Sequence, residues 1–367
     1  MVSPILSLDD LVSLCSKSIY FPTREPYAMM LLVAVAVRVQ ALLGCLEFCV
    51  YVLYWGTPES GKTKATRFLC KITRGKFAPK MTQSALLRIM DIVSKNGSML
   101  GIDQYDDQAL EHPYLNGCME IGNDPEAEYF VSENVGSGNK KKIEVTPVRC
   151  GGYKVFNAIA PPRHALRTRT YEVHTLKAPK DAAKAISTHL NKQDISAINT
   201  TLDAYATAIL GNFAEGDVSA YLQSQEHQDG LDCLEGGRKH DLFNVLNTVR
   251  HFLGWDIDVA QALSYSNADE TLFVTKSVLI AAIQANGWAG KRVTPMELLT
   301  AINDQHYIMR IPTLKNAWEL DTMMCSIGIT ERDGFRKKSN RTMDYIFPVT
   351  ITDILEPSAK QTTLGGP

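Results

Sequence analysis

The run Phe48-Cys-Val-Tyr-Val-Leu-Tyr-Trp55 leads directly into Gly56-Thr-Pro-Glu-Ser-Gly-Lys-Thr63, and this join constrains the fold more than any other stretch. A continuous apolar run without alternation suits a strand covered on both faces, as in a parallel sheet flanked by helices. The octet after it fits G-x-x-x-x-G-K-[ST] at every fixed position. Its glycines let the backbone curl so that several N–H groups point at one anion, and the next helix adds the positive end of its dipole. Lys62 is expected to reach the β- and γ-phosphates of ATP, and the Thr63 hydroxyl to ligate Mg²⁺. From Lys64 to Ile72 the chain reads as a helix, with Ala65, Phe68, Leu69 and Ile72 on one face. Gly56, Thr57, Pro58, Glu59, Ser60, Gly61, Lys62, Thr63 and Lys64 are therefore the candidate nucleotide-binding residues.

With 367 residues there is room for two or three domains, and a net charge of -2 announces no global basic field for nucleic acid. Any such contact must come from local patches. Eight cysteines are scattered, with no C-x-x-C pair and no neighbouring histidine ligands. That usage reads as a reduced cytoplasmic chain rather than a disulfide scaffold or zinc module. Asp9 and Asp10 come too early for a signal peptide. Tyr27 to Trp55 is strongly apolar, but Arg38, Gln40 and Glu47 leave runs short of the ~20 residues a spanning helix needs. A buried helix from Pro26 to Leu46, after a first helix from Leu6 to Ser16, is the expectation.

A second piece of chemistry lies further along. A helix from Gln83 to Ser94 and a turn at Asn96-Gly97 precede Ser98-Met-Leu-Gly-Ile-Asp103, a short strand ending in a carboxylate. Downstream of a phosphate-binding loop this is the Walker B arrangement, with Asp103 holding the Mg²⁺ shell. ATPases of this kind usually place a glutamate next, to polarise the attacking water. Here the residue is Gln104, whose amide holds water but does not take its proton as a carboxylate does. Three readings stand: Asp106 or Asp107 takes the role, the protein binds ATP and cuts it slowly, or Gln104 is a deliberate substitution that traps ATP.

Strands 127–132 and 142–147 read as a hairpin whose connecting loop carries Lys140, Lys141 and Lys142, candidates for a nucleic-acid backbone. The strand Tyr153–Asn157 ends in an amide suited to orienting water beside a γ-phosphate. Arg169 precedes the strand Thr170–Thr175, where ring-forming ATPases present an arginine to the neighbouring subunit; Arg163 and Arg167 are the alternatives. Helical spacing then dominates from Asp181 to Leu253 as a lid over the nucleotide, with Arg238 a second phosphate sensor. The C-terminal part reads as helices 275–286, 294–302 and 316–327. A basic hairpin from Gly334 to Phe347 comes next, with Arg336, Lys337, Lys338 and Arg341 at its tip. This order suggests a winged helix contacting DNA.

From about Tyr20 to Phe347 the chain resembles a family of helicase-like ATPase domains carried by plasmids, prophages and other mobile elements, often beside or fused to primases. The likeness comprises the helical lead-in, the Gly56–Thr63 loop, the Thr82-Gln-Ser-Ala-Leu-Leu-Arg-Ile helix, the Ala165-Leu-Arg-Thr-Arg169 end of the core, and the C-terminal module. That family is similar to the AAA+ ATPases of replication. The resemblance implies an α/β fold: a P-loop AAA+ parallel sheet core (47–178) with N-terminal helices (1–46), a helical lid (179–265), a C-terminal winged-helix domain (266–356) and a flexible tail (357–367). It makes Lys62, Thr63 and Asp103 the nucleotide and Mg²⁺ residues, Asn157 the first sensor and Arg169 a trans-acting finger, with hydrolysis in question at Gln104. The leading expectation is a hexameric DNA helicase or translocase of replication or a mobile element, with DNA, further copies of itself and a primase as partners. The alternative is an ATP-dependent switch that assembles on DNA or a partner with little turnover.

Overall fold

The computed structural model describes residues 5–309 apart from 57–58, 136–141, 160–165, 167, 176, 179, 187–189, 235–236, 266–269 and 289, and beyond Met309 residues 314, 316–317, 320, 324, 336–339 and 342–347. The chain divides into two compact units, Met1–Ser266 and Asn267–Pro367.

The first unit is built on a five-stranded parallel sheet. Its strands are β1 (Tyr51–Trp55), β2 (Lys76–Ala78), β3 (Leu100–Ile102), β6 (Lys154–Ala158) and β7 (Thr170–His174), in the spatial order β2-β3-β6-β1-β7. Every residue of β1 and β6 is buried, as the unbroken apolar run of β1 predicts for a strand covered on both faces. Helix α3 (Lys62–Ile72) leaves the top of β1 and packs on β2, β3 and β6. Gly101 in β3 lets it approach, since a Cβ there would collide with Cys70 Sγ of α3. Helix α4 (Gln83–Lys95) is capped by the Thr82 side chain and returns the chain to β3. Between β3 and β6 the chain makes α5 (Tyr105–Glu111), α6 (Pro113–Ile121) and a hairpin of β4 (Glu128–Val135) with β5 (Lys142–Arg149). This excursion lets β6 insert between the strand of the loop and the strand of Asp103.

Helix α1 (Leu8–Ser16) begins with a Ser7–Asp10 capping box. Helix α2 (Glu25–Arg38) is buried from Tyr27 through Val37 on all sides. Its 14 residues span about 21 Å, short of a bilayer core, and among the described residues no helix is long and apolar enough to cross a membrane. Among the described residues, α1, α3, α8 (Lys192–Asn212), α11 (Arg238–Leu253) and α12 (Val259–Tyr265) pack against α2. The N-terminal helices and the later helical region, expected as separate layers, thus interleave in one bundle. Helix α2 also stops eight residues before the expected Leu46. At that point the Arg38 guanidinium donates to Ala34 O, Ile72 O, Asn199 and Asp203, tying together α2, α3 and α8. Shorter helices α7 (Lys180–Ala185), α9 (Glu215–Leu222) and α10 (Gln225–Asp232) complete the unit.

In the second unit, α13 (Glu270–Asn286) packs on α14 (Pro295–Met309). Helix α14 is started by a reciprocal Thr294–Glu297 capping box with Pro295 at its first position. A three-stranded sheet runs β8 (Arg292–Val293), β10 (Thr342–Ile346), β9 (Arg336–Ser339), with Arg292 paired to the buried Asp344 at 2.7 Å.

Candidate functional site

All strands of the sheet point the same way, so Gly56–Thr63, Asp103 and Asn157 gather at its C-terminal edge. Gly56 has φ 146°, and a Cβ there would strike Thr175 O at the end of β7. Only glycine fits both the angle and the space. The loop is fastened by Ser60 Oγ on Thr175 Oγ1 at 2.7 Å and by an exposed Lys177–Glu59 pair at 2.8 Å. Gly61, with φ 87°, turns the chain into α3. The Lys62 ammonium donates to Gly56 O at 2.7 Å, so it lies across the mouth of its own loop. Thr57 and Pro58 lie outside the described residues. Lys64 sits in the first turn of α3, where burial pushes its amine down.

Thr63 Oγ1 donates to Asp103 Oδ1 at 2.9 Å, and Asn157 Nδ2 donates to the same oxygen at 2.8 Å. Asn157 Nδ2 also reaches Thr66 Oγ1 at 3.2 Å, while its Oδ1 accepts the Gln104 N–H at 3.0 Å. Residues from α3, the end of β3 and β6 are thereby locked into one polar cluster. The hydroxyl and carboxylate are hard oxygen donors side by side, which fits Mg²⁺. Among the described residues no group of three or more His, Cys, Asp or Glu could hold a metal alone. A Mg²⁺ at Thr63 and Asp103 would take its remaining ligands from phosphate oxygens and water, as that ion commonly does.

Gln104 is exposed and left-handed, with φ 49° and ψ 55°. Glutamine carries no local preference for that region, so the surrounding bonds hold it there. The backbones of Asp106 and Asp107 lie in α5, with their side chains outside the described set. Beside the loop, burial and then the Lys62 ammonium push the His174 imidazole down to about 3. His174 is therefore neutral at physiological pH, and its ring lies 4.6 Å from that of Trp55. An open groove of about 390 Å³ lies between α1, the segment Tyr20–Arg24 and α7, lined by Val12, Tyr20, Phe21, Ala182 and Ile186. Phe21 stacks on Tyr54 of β1 at 5.8 Å, which ties the wall of the groove to the strand that leads into Gly56.

Arg169 lies elsewhere. It precedes Thr170, which pairs with Tyr51 at the start of β1, so it occupies the N-terminal edge of the sheet. A five-residue strand spans about 16 Å, which separates Arg169 from the loop of its own chain. Burial and then the neighbouring Arg238 push its pKa down, opposed by Tyr51 and Glu120. Arg238, expected as a second phosphate sensor, opens helix α11 and lies within electrostatic reach of Arg169. Arg163 and Arg167 lie outside the described residues, as do Lys140, Lys141 and Arg341. The backbones of Lys142, Arg336, Lys337 and Lys338 lie in strands, with their side chains outside the described set.

Sequence reasoning did not find the Ser60–Thr175 clasp, His174, the groove or Gln108. Gln108 is buried and donates to Asp103 O at 2.6 Å. Its spacing, one helical turn after Gln104 in a run of polar residues, is the only signal it leaves.

No family model and no curated protein matches the chain in sequence. Among solved structures it is similar to the SCCmec type IV Cch active helicase, at 15% identity and TM-score 0.42, over 97% of this chain and 72% of that one. It is also similar to the Thermotoga maritima RuvB Holliday junction branch migration motor, at 12% and 0.26, over 85% and 89%. The C-terminal region of NrS-1 matches at 9% and 0.28, over 95% and 77%. These are distant neighbours, so the function is argued from the chain's own geometry.

Proposed function

We propose that the chain is an ATP-dependent DNA motor, a helicase or translocase that works as a ring of copies, hexameric in the leading form. The observation that carries this reading is the Thr63–Asp103–Asn157 cluster at one edge of the sheet, with Arg169 at the opposite edge. Lys62 binds the β- and γ-phosphates, Thr63 and Asp103 hold Mg²⁺, and the groove at Phe21 takes the base. Bound Mg²⁺ supplies the positive charge that the phosphates need during transfer. Asn157 orients water at the γ-phosphate. Arg169, with Arg238 beside it, reaches the nucleotide of the neighbouring copy and completes that site in trans.

DNA is the proposed track. Lys140 and Lys141, in the segment joining β4 to β5, and Lys142, the first residue of β5, are its proposed contacts. The β8-β10-β9 order with α14 between β8 and β9 supports a winged-helix reading of the second unit, whose Arg336, Lys337, Lys338 and Arg341 would contact phosphates. A mobile-element origin and a primase partner remain part of this proposal.

The Gln104 position favours a second reading, in which ATP binding assembles the protein on DNA or a partner with little turnover. Gln104→Glu separates the two. In the motor reading, DNA-stimulated ATPase rises by about 10²-fold or more with the carboxylate in place. An unchanged rate, with nucleotide binding intact, leaves the switch.

A further inference from the structure

The peptide unit joining Asp103 to Gln104 is gripped at both of its polar ends by side-chain amides. Its carbonyl, Asp103 O, accepts from Gln108 Nε2 at 2.6 Å, and its N–H, on Gln104, donates to Asn157 Oδ1 at 3.0 Å. The two amides come from different elements, Gln108 from α5 and Asn157 from β6. Between them they fix the rotation of one peptide plane. On one side of it stands the carboxylate that faces Thr63; on the other stands the residue at the water-activating position.

Three further observations show that this grip matters. Gln104 is left-handed, a conformation that costs a non-glycine residue about 1–2 kcal/mol and persists only where neighbours hold it. Gln108 is fully buried, and its Oε1 has no hydrogen-bond partner among the described residues. A half-satisfied buried amide is costly, and an apolar residue of the same size would pack there more favourably. Finally, the Gln104 N–H lies at the start of α5, where an uncapped donor would otherwise need water.

We infer that Gln108 is a positioning residue for hydrolysis: it holds the Asp103–Gln104 peptide so that the Asp103 carboxylate and the side chain at position 104 face the nucleotide together. This rests on the ATPase reading above. Gln108 does not touch substrate. It acts through the peptide it grips, and Asn157 is its counterpart on the other end.

The test compares wild type with Gln108→Leu and Gln108→Glu, each also in the Gln104→Glu background. Hydrogen exchange is measured across residues 100–110, together with MgADP affinity and steady-state ATPase. The expected result for Gln108→Leu is faster exchange at the Gln104 N–H and a kcat lower by about ten-fold, with MgADP affinity within about two-fold of wild type. Gln108→Glu donates to Asp103 O only when its carboxyl is protonated. Its kcat therefore recovers toward wild type as pH falls, a profile that a merely structural role would not produce. Unchanged exchange in both variants overturns the grip. Faster exchange with unchanged kcat, or a kcat that falls only in step with nucleotide affinity, overturns the positioning role. If no background hydrolyses ATP while MgADP binds, the hydrolysis reading and the positioning role fall together, and the exchange data still decide whether Gln108 holds the peptide.

Discussion

Lys154 begins β6 three residues before Asn157, yet its chemistry differs from that of the nucleotide site. Its ammonium is buried and donates to Tyr51 Oη at 2.9 Å, Gly152 O at 3.1 Å, Gly122 O at 3.2 Å and Cys150 O. It also lies 4.7 Å from the Tyr51 ring centroid. These partners pin the start of β6 to the loops after α6 and β5. Burial nevertheless pushes its pKa from 10.5 down to about 8, against the pull of the neighbouring thiols. The unfolded chain keeps its proton up to about 10.5, so between the two values the unfolded state binds more protons. Stability therefore rises as pH climbs through that window and is lost again as pH falls toward 8. Lys154→Met lacks this term. The unfolding free energy of wild type minus that of the variant is expected to grow by up to about 3 kcal/mol between pH 8 and 10.5. A flat difference in paired denaturant titrations would mean that the amine does not titrate there.

At the scale of elements, the contact of α3 with β3 decides how closely the Thr63 side chain can approach Asp103. Gly101→Ala drives a methyl into Cys70 Sγ, and overpacking of this kind costs about 1–3 kcal/mol. Cys70→Ala removes the obstructing atom, so the double variant is expected to be more stable than the sum of the single changes predicts. Additive losses in thermal unfolding would place the strain elsewhere. Elements such as α3 and β1 were legible because their patterns are local: an unbroken apolar run and an i, i+3, i+4 face. Strand β2 was not, since Lys76-Phe-Ala offers only two apolar residues, and the register with β3 defines it. Helices α5 and α6 hid behind Asp106, Asp107 and Pro113. The apolar sequence of α2 announced burial, but its partners α8 and α11 lie far along the chain, and no local pattern names such contacts. Of the candidate site, Lys62 and Thr63 were proposed from the loop motif and Asp103 and Asn157 from strand ends, whereas the Gln108 and Ser60–Thr175 contacts exist only once the sheet is assembled.

Across the whole first unit, the two edges of the sheet carry the two halves of one proposed reaction. The loop, Asp103 and Asn157 lie at the C-terminal edge; Arg169 lies at the N-terminal edge, within electrostatic reach of Arg238 and Glu120. About one strand length, ~16 Å, separates Arg169 from the loop of its own chain, and in the proposed ring the arginines serve a nucleotide whose loop a second copy brings to them. Such head-to-tail contacts close into rings when the rotation per subunit allows. Mixing two inactive variants tests this directly. Lys62→Ala disables the loop and keeps the arginines, and Arg169→Ala does the reverse. Each alone is expected to lose ATPase, measured in the Gln104→Glu background if wild type turns over too slowly. In an equal mixture, about a quarter of the contacts join an intact loop to an intact arginine, and a corresponding fraction of activity returns. The same recovery is expected when Arg238→Ala replaces Arg169→Ala, on the proposed reading that both arginines serve the same neighbour. Recovery with Arg169→Ala alone would assign Arg238 to its own chain, and no recovery with either variant would remove the shared site.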